Sequence, residues 1–309
     1  MSRLTVTVPE PEVLEGLLRA GVPVDVRLEL WDLTGSGFPE VDVVVVPNYF
    51  VAREGFRVLH DLPRLRVVQL PSAGYEHALP HLPRGVILCN GRGVHDAGTA
   101  ELALALALAA QRGISEAVRA MPDGRWDPVL RSSLADRRVM VLGYGSIGAA
   151  IGRRLAAFEA EVVRVAQAAR EAPEGPVHGI DELMALLPTV DIVISALPLT
   201  DATRGLIDAA VLAAMPDGAL LVNVGRGRVV DTEALLAELR AGRLRAALDV
   251  TDPEPLPADH PLWRAPNTII TPHVGGYTTA TTPRLVALVR RQIDELLAGR
   301  EPVNVVART

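Results

Sequence analysis

Short runs of consecutive apolar residues alternate along this chain with stretches in which apolar positions recur every three or four residues. In the first ninety residues the runs at 4–8, 41–46, 66–70 and 86–89 predict strands. Val43-Val44-Val45-Val46 is apolar at every position, which suits a parallel sheet covered on both faces. Helices are predicted near 12–19 and 53–61. A second series starts at Arg138, with strands predicted at 139–142, 162–165, 192–195, 220–222, 246–248 and 268–270. The helix predicted over 231–241 has Gly242 in place to stop it. Six strands with crossovers between them predict a doubly wound parallel sheet, and the earlier series a smaller α/β domain.

Two further helices stand apart. Residues 99–111 alternate Leu with Ala in a strand-like period of two, yet both residues favour a helix and β-branched residues are scarce. Such a helix is apolar on nearly all sides, so it is expected to be buried between domains or subunits. Near the end, Leu285, Leu288, Val289, Ile293, Leu296 and Leu297 recur at helical spacing, with Gly299 as the stop. That amphipathic helix is expected to pack back on the first domain.

Composition narrows the function. A length of 309 residues suits two domains, at a prior of roughly 150 residues each. Aromatic residues make up only 4%, so the cores must be built from Ala, Val and Leu. A net charge of −6 argues against a nucleic-acid partner held by a basic surface. All 31 basic residues are arginine. That excludes a Schiff-base lysine and a P-loop, although an arginine-biased genome is the ordinary cause of such a bias. Cys89 is the single cysteine, so neither an intrachain disulfide nor a thiolate cluster can form, and it is expected in the core. The seven histidines read as scattered and no paired cysteines accompany them, so no metal site is expected. With no signal-peptide core and no run approaching the ~20 apolar residues of a membrane span, a cytoplasmic location without membrane partners is expected.

Chemistry enters with Gly143-x-Gly145-x-x-Gly148, which follows the apolar run 139–142 and opens a helix through Arg153, Arg154 and Leu155. In that strand–turn–helix context, glycines let the backbone approach a dinucleotide pyrophosphate and the helix start offers N–H groups to the anion. Gly143, Gly145, Ser146, Ile147 and Gly148 are the expected contacts. About 20 residues on, an acid would hold the ribose 2′-hydroxyl of NAD. The stretch 163–170 holds no carboxylate; it offers Gln167 and ends in Arg170. This favours NADP, with NAD possible; the alternative is that Arg170 is a solvated loop residue.

The glycine motif is followed in order by Leu197-Pro198-Leu199-Thr200, Asn223-Val224-Gly225-Arg226-Gly227 and Leu248-Asp249-Val250. Pro253-Glu254-Pro255-Leu256 and Thr271-Pro272-His273-Val274-Gly275-Gly276 complete the series. Together these motifs resemble the D-isomer-specific 2-hydroxyacid dehydrogenase family. Because the acid is missing, the NADP-linked glyoxylate and hydroxypyruvate reductases look nearest. The resemblance covers nearly the whole chain, with weaker motifs before Asn90. It implies a Rossmann dinucleotide domain at 98–277, a smaller flavodoxin-like α/β substrate domain at 1–97 and 278–309, and a homodimer.

By the same resemblance, Arg226 would pair with the substrate carboxylate and polarise the 2-oxo group. His273 would protonate the forming alkoxide, and Glu254 would hold the other imidazole nitrogen. Leu197, Pro198, Val224, Gly275 and Gly276 would line the cofactor, with Asp249 at the nicotinamide carboxamide and Thr203 near the adenosine phosphate. The loop Ser72-Ala73-Gly74-Tyr75 would present the backbone N–H groups of Ala73 and Gly74 to the carboxylate. Taken singly, Arg226 reads as a surface turn, Glu254 as part of a Pro-rich loop and His273 as a strand cap. Their joint occurrence behind the glycine motif favours catalysis.

Some positions depart from the family pattern. Glu76 stands where Asp is usual, and His95, followed by Asp96, where Asn is common. Tyr49, Phe50 and Trp126 are candidates to shape the pocket, Trp126 by reaching a neighbouring subunit. Glu254 sets the chain apart from formate dehydrogenases, and the lack of lysine from phosphite dehydrogenases. The expected reaction is hydride transfer between NADP(H) and a small 2-oxo or 2-hydroxy acid. The rival is a corepressor-like, dinucleotide-sensing interaction protein with little turnover, which could keep all three catalytic residues. The lack of a long disordered extension weighs against that rival.

Overall fold

The computed structural model describes residues 3–34, 40–47 and 53–309, so Tyr49 and Phe50 lie outside the described residues. The chain begins with β1 (Leu4–Val8), α1 (Pro11–Arg19), β2 (Val26–Leu30), β3 (Val43–Val45), a 3-10 helix over Arg53–Asp61, β4 (Val67–Gln69) and β5 (Ile87–Cys89). There follow α2 (Asp96–Arg112), α3 (Ile114–Ala120), β6 (Arg138–Leu142), α4 (Ser146–Ala156), β7 (Glu161–Ala166), β8 (Arg170–Ala172) and β9 (Gly175–Gly179). Next come α5 (Leu183–Leu186), β10 (Ile192–Ser195), α6 (Ala209–Ala214), β11 (Leu220–Asn223), α7 (Thr232–Arg240), β12 (Arg245–Leu248) and β13 (Thr268–Ile270). The chain closes with α8 (Thr281–Leu297) and β14 (Val305–Arg308). It divides into two compact units, one formed by Met1–Asp96 with Gly276–Thr309 and the other by Ala97–Gly275.

The first unit is built on a six-stranded sheet in the order β14-β5-β4-β3-β1-β2, parallel except for β14. The apolar runs predicted the middle of it because those strands are covered on both faces. One face carries Val13 and Leu17 of α1 together with Leu285, Val289 and Ile293 of α8, all buried with Val6 and Val8. Burying each such side chain contributes roughly 1.5–3 kcal/mol. The tail helix therefore does return to this unit, packed so closely that a Cβ on Gly16 would stand 2.6 Å from Val286. The other face holds Trp31, Phe56, Leu59 and Leu70. His77 and His81, spaced four apart, both lie with their rings near Phe56 and so belong to that face.

The second unit is an eight-stranded sheet ordered β13-β12-β11-β10-β6-β7-β9-β8, parallel except for the β8–β9 pair. The six-strand expectation needs correction here. The third parallel strand of the doubly wound half is β9, which the apolar pattern did not reveal, and 268–270 is the seventh parallel strand. Arg170 opens β8 and is not a loop residue. The helix expected at 99–111 is also less uniformly buried than its composition implies. Ala100, Ala103, Leu104 and Ala107 are buried, while Glu101, Ala105 and Arg112 are exposed. Among the described residues no helix is long and apolar enough to cross a membrane.

Candidate active site

All the catalytic candidates sit in the second unit on loops that leave the carboxyl ends of its parallel strands, where such sheets bind ligands. The loop after β6 is the glycine turn. Gly143 has φ of 101°, and a Cβ there would stand 2.8 Å from the Ala196 carbonyl carbon. A Cβ on Gly148 would come within 2.3 Å of the Gly143 carbonyl oxygen. Gly145 faces open space, as a residue does whose backbone a ligand must approach. Here α4 begins at Ser146, with no acid in its first turn to compete for an anion. These features fit a dinucleotide pyrophosphate.

At the end of β7, Gln167 is exposed, and Arg170 reaches back to donate from Nη2 to the Tyr144 carbonyl at 2.5 Å. This guanidinium is thus tied to the glycine turn itself. Arg164 lies over the Tyr144 ring, 5.7 Å from its centroid. After β10, Leu197 is buried and Thr203 is turned into its own loop. The Thr203 hydroxyl donates to the Pro198 carbonyl at 2.6 Å and accepts from the Thr200 amide at 2.8 Å. This hydroxyl shapes the loop.

Arg226 follows β11 and lies between two glycines that leave no slack. A Cβ on Gly225 would stand 2.5 Å from the Leu197 carbonyl oxygen, and one on Gly227 only 1.8 Å from that of Thr251. Arg226 donates from Nη1 to the Gly225 carbonyl at 2.9 Å. Asn223, 1% exposed, grips the same turn: its Oδ1 accepts from the Gly225 amide at 3.1 Å and its Nδ2 donates to the Arg226 carbonyl at 3.1 Å. Val224 is buried beside it.

Glu254 lies in the loop after β12, which is pinned just ahead of it. The Thr232 hydroxyl donates to the Asp252 carbonyl and the Thr251 hydroxyl to the Pro253 carbonyl, each at 2.9 Å. His273 Nδ1 stands 2.5 Å from Glu254 Oε1. An ionised carboxylate only accepts, so Nδ1 carries the hydrogen and Nε2 is left for other work. Both side chains are about 40% exposed (40% and 39%), so the pair orients the ring more than it stabilises the fold.

His273 has φ of 53°, a left-handed conformation that costs a side-chain-bearing residue about 1–3 kcal/mol. Asp249 holds it there. The Asp249 carbonyl accepts from the His273 amide at 2.8 Å. The carboxylate, 2% exposed, accepts from the Thr271 hydroxyl at 2.6 Å and from the Val274 and Gly275 amides at 2.9 Å each. In this structure the carboxylate of Asp249 organises the histidine loop. Gly276 opens the returning segment of the first unit.

In that first unit, Asn90 Nδ2 donates to the Ala73 carbonyl at 2.8 Å and the Ser72 hydroxyl to that of Gly74 at 2.9 Å, which shapes the loop carrying Ala73 and Gly74. Trp126 is 92% exposed and His95 half-buried. The structuring residues Asn223, Thr232, Thr251, Thr271 and Asn90 were missed as such in the sequence. Only Asn223 had a local signal, an Asn two residues before a Gly at a strand end.

Comparison with known proteins agrees with this geometry. The profile of the D-isomer specific 2-hydroxyacid dehydrogenase, NAD binding domain, matches residues 104–275. A glyoxylate reductase from Thermofilum pendens is 33% identical over 260 residues, covering 81% of this chain and 77% of that protein. A D-3-phosphoglycerate dehydrogenase from Methanocaldococcus jannaschii is 31% identical over 270 residues, covering 84% of this chain and 51% of that one. A D-isomer specific 2-hydroxyacid dehydrogenase from Xanthobacter autotrophicus, solved with NADPH and MES, superposes with a TM-score of 0.83 at 33% identity, covering 99% of this chain and 98% of that one. With its doubly wound sheet, its glycine turn and its motifs in sequence order, this chain belongs to the D-isomer-specific 2-hydroxyacid dehydrogenase family of NAD(P)-dependent oxidoreductases.

Proposed function

We propose that the protein is an NADPH-dependent reductase of small 2-oxo acids such as glyoxylate or hydroxypyruvate. The observation that carries this reading is the 2.5 Å pairing of His273 with Glu254 on the strand-end edge that also carries Arg226 and the glycine turn. Arg226 takes the substrate carboxylate in a charge-assisted pair and draws electron density from the 2-oxo group. NADPH, which the glycine turn at 143–148 would hold, would supply the hydride to the carbonyl carbon. His273, protonated and held through Nδ1, delivers its Nε2 proton to the carbonyl oxygen, and Glu254 stabilises the imidazolium before the transfer. A 2-hydroxy acid and a neutral imidazole result. In the reverse direction the neutral imidazole takes the hydroxyl proton. The proposed division is 98–277 for the dinucleotide and the remainder for the substrate, where Ala73 and Gly74 are the candidate amide donors.

Preference for NADP rests on Arg170 beside the glycine turn and on the absence of an acid from 163–170. The NADPH bound by the Xanthobacter relative supports it. The test is a matrix of glyoxylate, hydroxypyruvate, pyruvate and 3-phosphohydroxypyruvate against NADPH and NADH, read as kcat/KM. A larger kcat/KM with NADH throughout would overturn the cofactor assignment. The best turnover on the phosphorylated acid would move the substrate toward that of the Methanocaldococcus relative.

We also assign a homodimer built through residues 114–130. Ile114, Val118, Met121, Trp126, Val129 and Leu130 are all more than half exposed, an apolar concentration unlike scattered single residues. Light scattering on the wild type checks it: a monomer at micromolar concentration ends the dimer assignment.

A further inference from the structure

We infer that Asn223 is a positioning residue that sets the aim of Arg226, an inference resting on the substrate-binding role proposed for that arginine. Asn223 is the last residue of β11, buried at 1% exposure, and touches none of the reacting groups. Its side-chain amide spans the turn, accepting from the Gly225 amide and donating to the Arg226 carbonyl, both at 3.1 Å. These two partners fix which end of the amide is oxygen. Backbone pairing holds Asn223 from both sides: its residue register sits against Ser195 on one strand and Leu248 on the other. The neighbouring glycines leave the turn no alternative course, since Cβ atoms at 225 and 227 would strike the Leu197 and Thr251 carbonyls. The peptide that carries the guanidinium is therefore clasped to a central strand through one buried amide.

A carboxylate held by a guanidinium must be placed to within a fraction of an ångström for the hydride acceptor carbon to be in line. A misplacement of about 1 Å in such a site can cost about 10²-fold in rate. Losing the clasp frees the Arg226 backbone while leaving its charge in place. Asn223→Asp is the sharper variant, because Asp can still accept from Gly225 but cannot donate to the Arg226 carbonyl. Asn223→Ser, which introduces no charge, is the companion variant if the acid disturbs folding.

The experiment measures kcat and KM for glyoxylate, or for whichever 2-oxo acid the wild type turns over best, with NADPH Kd from cofactor fluorescence. It includes both variants, Arg226→Ala and the Asn223→Ser/Arg226→Ala double variant. The expected result is a loss of kcat/KM of about tenfold or more in each Asn223 variant, carried by kcat as well as by KM, with NADPH Kd within about twofold. The double variant should lose no more than Arg226→Ala alone, since the clasp has nothing left to aim. Wild-type kcat/KM in the Asn223 variants would overturn the inference. So would losses that multiply in the double variant, or NADPH affinity that falls in step with activity. If Arg226→Ala keeps wild-type activity, it is the proposed role of Arg226 that fails.

Discussion

At the scale of single residues, the site is a set of side chains whose geometry is enforced by neighbours that do no chemistry. His273 occupies a backbone region that side-chain-bearing residues avoid, and Asp249 holds it there with a carbonyl and a carboxylate. His273→Ala is expected to lower kcat by several orders of magnitude while leaving NADPH Kd nearly unchanged, because only the proton donor is lost. Loss of cofactor affinity in parallel would mean that the loop serves the fold and not the reaction. Arg170→Ala should raise KM for NADPH and leave that for NADH unaltered, a selectivity that steady-state kinetics with both cofactors reads directly. Cys89 supplies a pH signature. Burial pushes its thiol up to about 11 from an ordinary 9.0. Between those values only the unfolded chain releases the proton, so the stability contributed below pH 9 is lost as pH rises through 11. The urea midpoint of the wild type should therefore fall more steeply across this window than that of Cys89→Ala.

At the scale of elements, loops that bear function are braced against one another by glycines at points of backbone contact. Gly227→Ala should be among the most damaging small substitutions in the chain, since its methyl would lie 1.8 Å from the Thr251 carbonyl oxygen. Relief requires the Arg226 and Glu254 loops to separate. A stability loss of about 1–3 kcal/mol and a larger proportional loss of kcat/KM are expected, measured by denaturant unfolding and steady-state kinetics.

The elements differed in how well they could be read from the chain. Strands buried on both faces, such as β3 and β11, declare themselves as unbroken apolar runs. Edge and near-edge strands do not. In β2 the residues Val26-Arg27-Leu28-Glu29-Leu30 alternate at the sheet margin. In β9 the stretch Gly175-Pro176-Val177-His178-Gly179 has little intrinsic strand preference and is extended because it pairs with β7 and β8. The same holds at the site. The motif residues were legible by type and spacing, whereas Thr232 and Thr271 act on loops about 20 residues away (20 and 22), a distance no local pattern encodes.

At the scale of the whole molecule, the chain builds one unit from a single uninterrupted segment and the other from two separated ones. The apolar side chains at 114–130 bear on assembly. Leu130→Asp, at a fully exposed position, should leave folding untouched and convert the proposed dimer to a monomer by light scattering. An unchanged mass would direct the search for the contact elsewhere on the molecule.

The late arrival of β14 and α8 has a consequence for biosynthesis. Until residues beyond Gly275 leave the ribosome, β5 has no partner on its outer edge, and Val13 and Leu17 have no helix to cover them. The intervening segment, by contrast, has all its own strands in hand. Translation should thus yield a nascent chain in which the middle folds ahead of both ends, with a bare sheet edge waiting at the front. A chain truncated after residue 275 and released from the ribosome should be cut by protease within 1–96 while 97–275 is spared.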